Sequence, residues 1–500
     1  MSRNNPSVKK NYIWNTSYQI LNLIVPLITA PYLARVLGAN GTGIYSYTHS
    51  MVAYFTLFAV LGTSVFGQRN IAYVRDDKEA RSRAFYEVLI FRMITSILAL
   101  ATYGIFIRFS NQYKVYYIIL SMNIINTVLD ISWFYQGIED FKRIVIRNLI
   151  VRVFHTAFIF LFVKNPDDLW LYIASIVGFN ALGNISMWFT LPKYLCRVKG
   201  INPFRDVKDI ILLFLPTIAT QVYIVLDKSM IGWITESTYQ NGCYEQSEKI
   251  ARIALTVVTS AAMVVLPRVA NLFKDGRKEE AIQYIYKGYR FTLFLSMPIM
   301  CGIIGVSKVF VPVFFGEGYE MAEILMPIFS VLVVAVSLAY ITGYSFLIST
   351  GQQNIYTIAV SIAAGVNLLL NICMIPKFGA IGAAMASVLA EIIGVSIQII
   401  YCCVTRQLRI KNIFASAWKY IFSASGMLIL LLYLQNIVSK TVMGLLTLII
   451  VGIITYAIIL VVLRDGFFIQ NIRNIYVSFR NKLLGRGNLY GIKKDNLSGS

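Results

Sequence analysis

Long apolar runs separated by short polar breaks fill almost the whole chain. Each run is close to the roughly 20 residues that cross the hydrocarbon of a bilayer. Matching runs to breaks predicts helices near 12–36, 43–66, 84–107, 114–136, 144–164, 169–191, 209–234, 247–270, 286–310, 321–349, 355–375, 379–404, 413–435 and 441–463. The fold class expected is all-α, a polytopic membrane protein of about fourteen transmembrane helices. The opening MSRNNPSVKKNYIW is polar and basic, and the first apolar run has no small-residue cleavage site. That run is expected to stay as an uncleaved anchor.

The breaks between the runs carry the orientation. With the N-terminus inside, about 32 of the 45 lysines and arginines fall on the cytoplasmic side and about eight outside. The bias follows the positive-inside rule, and a span missed early would have scrambled every later loop. Both termini are therefore expected to be cytoplasmic, with 465–500 as a basic tail. The placement also explains the formal charge of +21 without nucleic acid.

Two stretches repeat. Gly43, Tyr45 and Arg69 match Gly242, Tyr244 and Arg268 at one offset of 199, each set lying in a span entered from outside and closed by an inner arginine. YQGIEDF near Gly137 parallels STGQQN near Gly351. Six spans separate the copies, which predicts parallel repeats about an axis along the membrane normal. The expected organisation is two six-helix lobes, 1–200 and 201–411, around a central cavity, with two further helices at 412–464.

Composition agrees with lipid as the solvent: 57% of residues are hydrophobic and 14% charged, against about 25% charged in soluble domains. The six cysteines show no metal spacing. No catalytic arrangement, phosphate-binding loop or zinc motif is present, so neither a catalytic site nor a cofactor is expected.

Polar residues recur inside the spans at helical spacing. Asn15, Gln19 and Asn22 share a face of the first span; Asn123, Thr127 and Asp130 of the fourth; Asn148, Arg152 and His155 of the fifth; Gln221 and Lys228 of the seventh; Glu248 and Arg252 of the eighth; Ser387, Glu391 and Gln398 of the twelfth. Amides and hydroxyls of this kind also serve as glue between helices. Charges cost more: Arg92, Arg152, Lys228 and Arg252 together amount to roughly 10–14 kcal/mol on an insertion scale. Water, partner acids such as Asp130, Asp227, Glu248 or Glu391, or a ligand must offset that. Arg35 sits near a span end, where snorkelling is open to it.

PYLARVLGANGTGIYSY (31–47), FGQRNIA (66–72), WFYQGIEDFKR (133–143), DKSMIG (227–232), VVLPRVA (264–270) and IPKFGAIGAAMASVLAEIIG (375–394) resemble the Wzx-type oligosaccharide flippases, within the superfamily that also holds MATE drug exporters and lipid II flippases. The resemblance runs from about Tyr12 to Arg464. It implies alternating access by two lobes and a substrate of oligosaccharide on undecaprenyl pyrophosphate in the bacterial cytoplasmic membrane. A polysaccharide polymerase and a chain-length regulator are the partners it implies. Cavity cations of such flippases meet the pyrophosphate; the candidates by type and depth are Arg35, Arg92, Arg152, Lys228 and Arg252. Asn15, Gln19, Asn22 and Gln221 are candidates for the sugar, and Asp227, Glu391 and His155 for ion coupling. A drug exporter, a lipid II flippase, a membrane glycosyltransferase and a scaffold remain rivals; the basic balance of the expected cavity and the short loops argue against the first and third.

Overall fold

The computed structural model describes the backbone of residues 8–262, 265–471 and 473, and their side chains apart from 8–24, 215–217, 219–220, 222–224, 261–262 and 265–266. In chain order the helices are α1 (Val8–Val60), α2 (Thr63–Tyr73), α3 (Lys78–Phe109), α4 (Lys114–Leu129), α5 (Ser132–Gly137), α6 (Phe141–Phe162), α7 (Leu169–Trp188), α8 (Val207–Thr235) and α9 (Thr238–Ala262). They continue with α10 (Val265–Lys274), α11 (Lys278–Phe314), α12 (Ala322–Ala339), α13 (Gln353–Phe378), α14 (Ala380–Val404), α15 (Ile410–Ile413), α16 (Ala417–Leu434) and α17 (Val442–Val462). A π-helical turn, Tyr340–Ile348, prolongs α12.

The punctuation is local chemistry. Two expected spans join in α1, which turns only at Gly38, φ 66°, a conformation that glycine adopts without a Cβ penalty. Gly62, φ 74°, then separates α1 from α2. Asp77 caps α3 by accepting from the backbone N–H of Glu79 and Ala80, and Thr441 caps α17 through Gly444, each satisfying orphan donors.

Eleven helical stretches among the described residues are long and apolar enough to cross a membrane. One of them, Val25–Tyr73, contains the second of the fourteen expected spans and the last part of the first. α9 is not among the eleven; it carries Glu245, Glu248, Lys249 and Arg252 in its middle.

The core is divided. Two apolar clusters lie within the first seven helices and the start of α8, one around Phe85, Trp133 and Phe134, the other around Tyr103, Tyr117 and Leu120. A third packs α16 and α17 onto α11 through Tyr420, Leu431, Leu448 and Tyr456 against Tyr289 and Leu293. A fourth spans the join, bringing Ala34 and Ala39 of α1 to Tyr244, Phe315 and Phe329. Outward positions such as Ile429 and Ile453 remain bare and apolar, as lipid-facing residues are. Cys243, Cys301 and Cys402 are buried as free thiols.

Candidate functional site

The two repeat copies meet each other. Beyond Gly38, α1 runs against α9, and Gly43 lies on the backbone of Thr238 and Gly242. Ser46 donates to Glu245 (3.1 Å), its counterpart 199 positions on. Thr238 donates to Asn40 (2.8 Å), Tyr54 bonds Ser229 (2.7 Å), and Thr42 bonds Tyr319 (3.0 Å). Close approach of this kind is what small residues permit between membrane helices, where no hydrophobic force drives association.

An ion network sits beside this crossing. The Lys228 ammonium lies 2.6 Å from Glu245 and 3.0 Å from Glu248. Glu248 also accepts from Arg252, at 2.7 Å from Nε and 2.5 Å from Nη2. The Lys228 and Glu248 side chains are 17% and 7% exposed, so that pair is largely removed from water, while Arg252 keeps about half of its side chain exposed.

A cavity of about 240 Å³ opens inside the C-terminal half, among α8, α9, α12, α13 and α14. Asp227 is held on its wall by Asn371 (2.6 Å), by Tyr244 (2.5 Å) and by the Ser387 hydroxyl, all donating to its carboxylate. Asn371 reaches on to Asn367 (3.1 Å), and Asn367 to Ser387 (3.3 Å). Glu248, Glu391 and Arg252 line the same cavity, so its acids outnumber its base. That reverses the basic balance expected from sequence.

A second cavity, about 370 Å³, lies inside the N-terminal half among α1, α3, α4, α6 and α7. Arg92 is on its wall but fully buried and spent. Its guanidinium donates to Thr63 (2.7 Å), Ser64 (2.7 Å), and the carbonyls of Thr127 (3.2 Å) and Asp130 (3.0 Å). Those carbonyls belong to the end of α4, where the helix leaves acceptors without partners. Arg147 donates to Asn184 (2.6 Å) and Ser132 (3.1 Å). A third hollow, about 440 Å³, lies between the halves beside Tyr47, Tyr113, Trp233 and Glu236.

The structure scatters the five expected cations. Arg35 is exposed and donates to the carbonyl of Val313 (2.5 Å). Arg92 is a structural staple inside one half. Arg152 is half-buried on α6, and Lys228 and Arg252 belong to the ion network at the crossing. Of the polar candidates, Gln221 is exposed, while the side chains of Asn15, Gln19 and Asn22 lie outside the described residues. His155 bonds Ser175 (3.1 Å) and packs on Phe179, remote from Asp227 and Glu391, which share the C-half cavity. Sequence reasoning passed over Glu245, Asn367 and Asn371, and placed Tyr244 only in the repeat. The two asparagines stand four residues apart in an apolar run of α13, a signal that could have found them.

Residues 8–273 match the family described as polysaccharide biosynthesis protein. A putative O-antigen transporter of Escherichia coli (strain K12) is 22% identical over 411 residues, covering 80% of this chain and 98% of the relative. The one from Shigella dysenteriae is 23% identical, covering 77% and 98%. Among solved structures, the lipid II flippase MurJ in an inward closed conformation superposes with TM-score 0.72 at 16% identity, over 91% of this chain and 99% of that one. An inward-facing MATE-family multidrug transporter gives 0.56 at 12% identity, over 79% and 99%. The many apolar helices, their arrangement on that transporter fold and the family match converge: this multi-pass membrane chain belongs to the polysaccharide biosynthesis protein family.

Proposed function

We propose that the protein is a flippase that turns an undecaprenyl-pyrophosphate-linked oligosaccharide from the inner to the outer leaflet of a bacterial cytoplasmic membrane, for surface polysaccharide assembly. The observation that carries this reading is the match to two O-antigen transporters along 98% of their length. A diphosphate cannot cross hydrocarbon unsolvated, so the protein must supply a polar path while the lipid tail stays in the bilayer. Two lobes, 1–200 and 201–411, rock against each other so that the crossing of α1 and α9 opens, and the helices of 412–464 ride on the second. With both termini cytoplasmic, the Gly43–Gly242 contact lies at the outer end, and the halves are shut there. Arg152, Arg252, Lys228 and Arg35 meet the pyrophosphate, each once its present partners part. Asp227 and Glu391 carry the coupling cation. A polymerase and a chain-length regulator take up the product.

The test is reconstitution in liposomes with lipid-linked oligosaccharide from a flippase-deficient strain. The glycan should become accessible to an impermeant oxidant from the opposite leaflet at a rate well above that of protein-free vesicles. Equal rates would overturn the proposal. The acid-rich C-half cavity favours one second reading, a cation-coupled exporter of cationic drugs. Raised drug resistance of an overexpressing strain, with no glycan turnover, would establish that reading instead.

A further inference from the structure

The cavity inside the N-terminal half is walled by amides. Asn123, Asn126, Asn148, Asn180 and Asn184 all line it, with Arg147 at its side. Its volume, about 370 Å³, is at the low end of small-molecule sites, which run from about 300 to 1,000 Å³. Two of the asparagines are tied into the wall. Asn126 donates to the carbonyl of Val177 (3.0 Å), and Asn184 accepts from Arg147. The bond to Val177 fixes which end of the Asn126 amide faces the wall, and leaves its oxygen buried with no hydrogen-bond partner. Asn126 is 8% exposed, so that oxygen is an acceptor shut away from solvent. Asn123, Asn148 and Asn180 share the cavity, and their amides bond no other described protein group.

An orphaned buried acceptor costs about 1–3 kcal/mol, and helix glue does not explain amides that glue nothing. Their chemistry selects the ligand. Each amide offers both a donor and an acceptor. A phosphate brings acceptors alone and would leave the amide oxygens of Asn123, Asn148 and Asn180 unmet. A hydroxyl gives and takes, and satisfies both ends. The two guanidinium groups nearby point at protein oxygens, those of Thr63, Ser64, Thr127 and Asp130 for Arg92 and of Asn184 and Ser132 for Arg147.

We infer that this cavity is a sugar subsite, which holds a hydroxylated ring of the glycan inside the N-terminal half, apart from the groups that meet the pyrophosphate. The inference rests on the flippase function proposed above. Recognition comes from Asn123, Asn148 and Asn180.

The experiment measures binding of two probes to the full-length protein: lipid-linked oligosaccharide extracted from flippase-deficient membranes, and bare undecaprenyl diphosphate. The wild type should prefer the glycan-bearing lipid tenfold or more. The triple variant Asn123→Ala, Asn148→Ala, Asn180→Ala should lose that preference at least tenfold with unchanged affinity for the bare lipid, since a neutral hydrogen bond is worth a factor of about 2–12. A triple variant that keeps the preference shows a cavity holding water only, which overturns the subsite and leaves the flippase reading standing. A wild type without preference overturns both. If the triple variant does not fold, Asn180→Ala alone decides: this exposed side chain should account for about a threefold loss, and no change overturns the subsite.

Discussion

Gly43 and Gly242 lie backbone against backbone where the two halves cross. A Cβ on Gly43 would stand 1.8 Å from the carbonyl oxygen of Thr238, and a Cβ on Gly242 would stand 1.9 Å from that of Ala39. The four residues form two pairs with the same spacing in sequence, 199, as the bonded pair Ser46 and Glu245. The repeat therefore acts as a pseudo-twofold contact, with each copy placing its glycine on the other copy's backbone.

Gly43→Ala and Gly242→Ala should each force this crossing apart, because backbone cannot retreat as a side-chain tip can. Lowered thermal stability in detergent, with loss of export, is the expected result. A cysteine pair at Asn40 and Thr238, whose side chains bond at 2.8 Å, should cross-link under oxidation and arrest export, with recovery on reduction. Full transport by the cross-linked protein would show that this end never opens.

Arg92 behaves differently from a ligand-binding cation. It fastens the start of α2, through Thr63 and Ser64, to the end of α4, through Thr127 and Asp130. Hydrogen bonds from a charged group contribute about 1.5–3 kcal/mol each, so Arg92→Ala should fail in protein level, measured in membranes, before any question of substrate arises. Arg92→Lys should not rescue it, since one ammonium cannot serve four acceptors on two helices.

Much of the architecture was legible because membrane helices announce themselves by length and apolarity, and because the offset between Gly43 and Gly242 survives in the letters. Sequence offered Asp130, Asp227, Glu248 and Glu391 as partner acids for the cations but did not assign them. Only packing reveals that Arg92 staples two helix breaks while Lys228 and Arg252 share Glu248. Glu245 drew no notice because its partner lies seventeen residues back, on α8 rather than on its own helix face. The amide cavity was half visible: Asn123 and Asn148 stood in polar stripes, whereas Asn180 and Asn184 joined them only through the packing of α7.

Lys228 lies half-buried between two carboxylates, so removing it strands two negative charges. Lys228→Ala should cost about 3–5 kcal/mol, read as a large drop in melting temperature. Lys228→Met combined with Glu245→Gln should recover part of that loss, because the remaining Glu248 still has Arg252 at 2.5 Å. A single variant as stable as the wild type would mean that the network is loose and wet.

A variant at Asp227 distinguishes the coupling role proposed for it from a role in folding. Its carboxylate accepts from Asn371, Tyr244 and Ser387, and two of these three donors are hydroxyls that can rotate to accept instead. Asp227→Asn keeps the shape and can exchange donor and acceptor roles with those hydroxyls, so the protein should reach the membrane at a normal level. It removes the one charge at the centre of the cluster, and with it the group able to hold a cation. Export should therefore fall at least tenfold and lose its dependence on an imposed ion gradient, measured in liposomes under proton and sodium gradients in turn. Retained, gradient-dependent export in Asp227→Asn would move the coupling role to Glu391, across the same cavity.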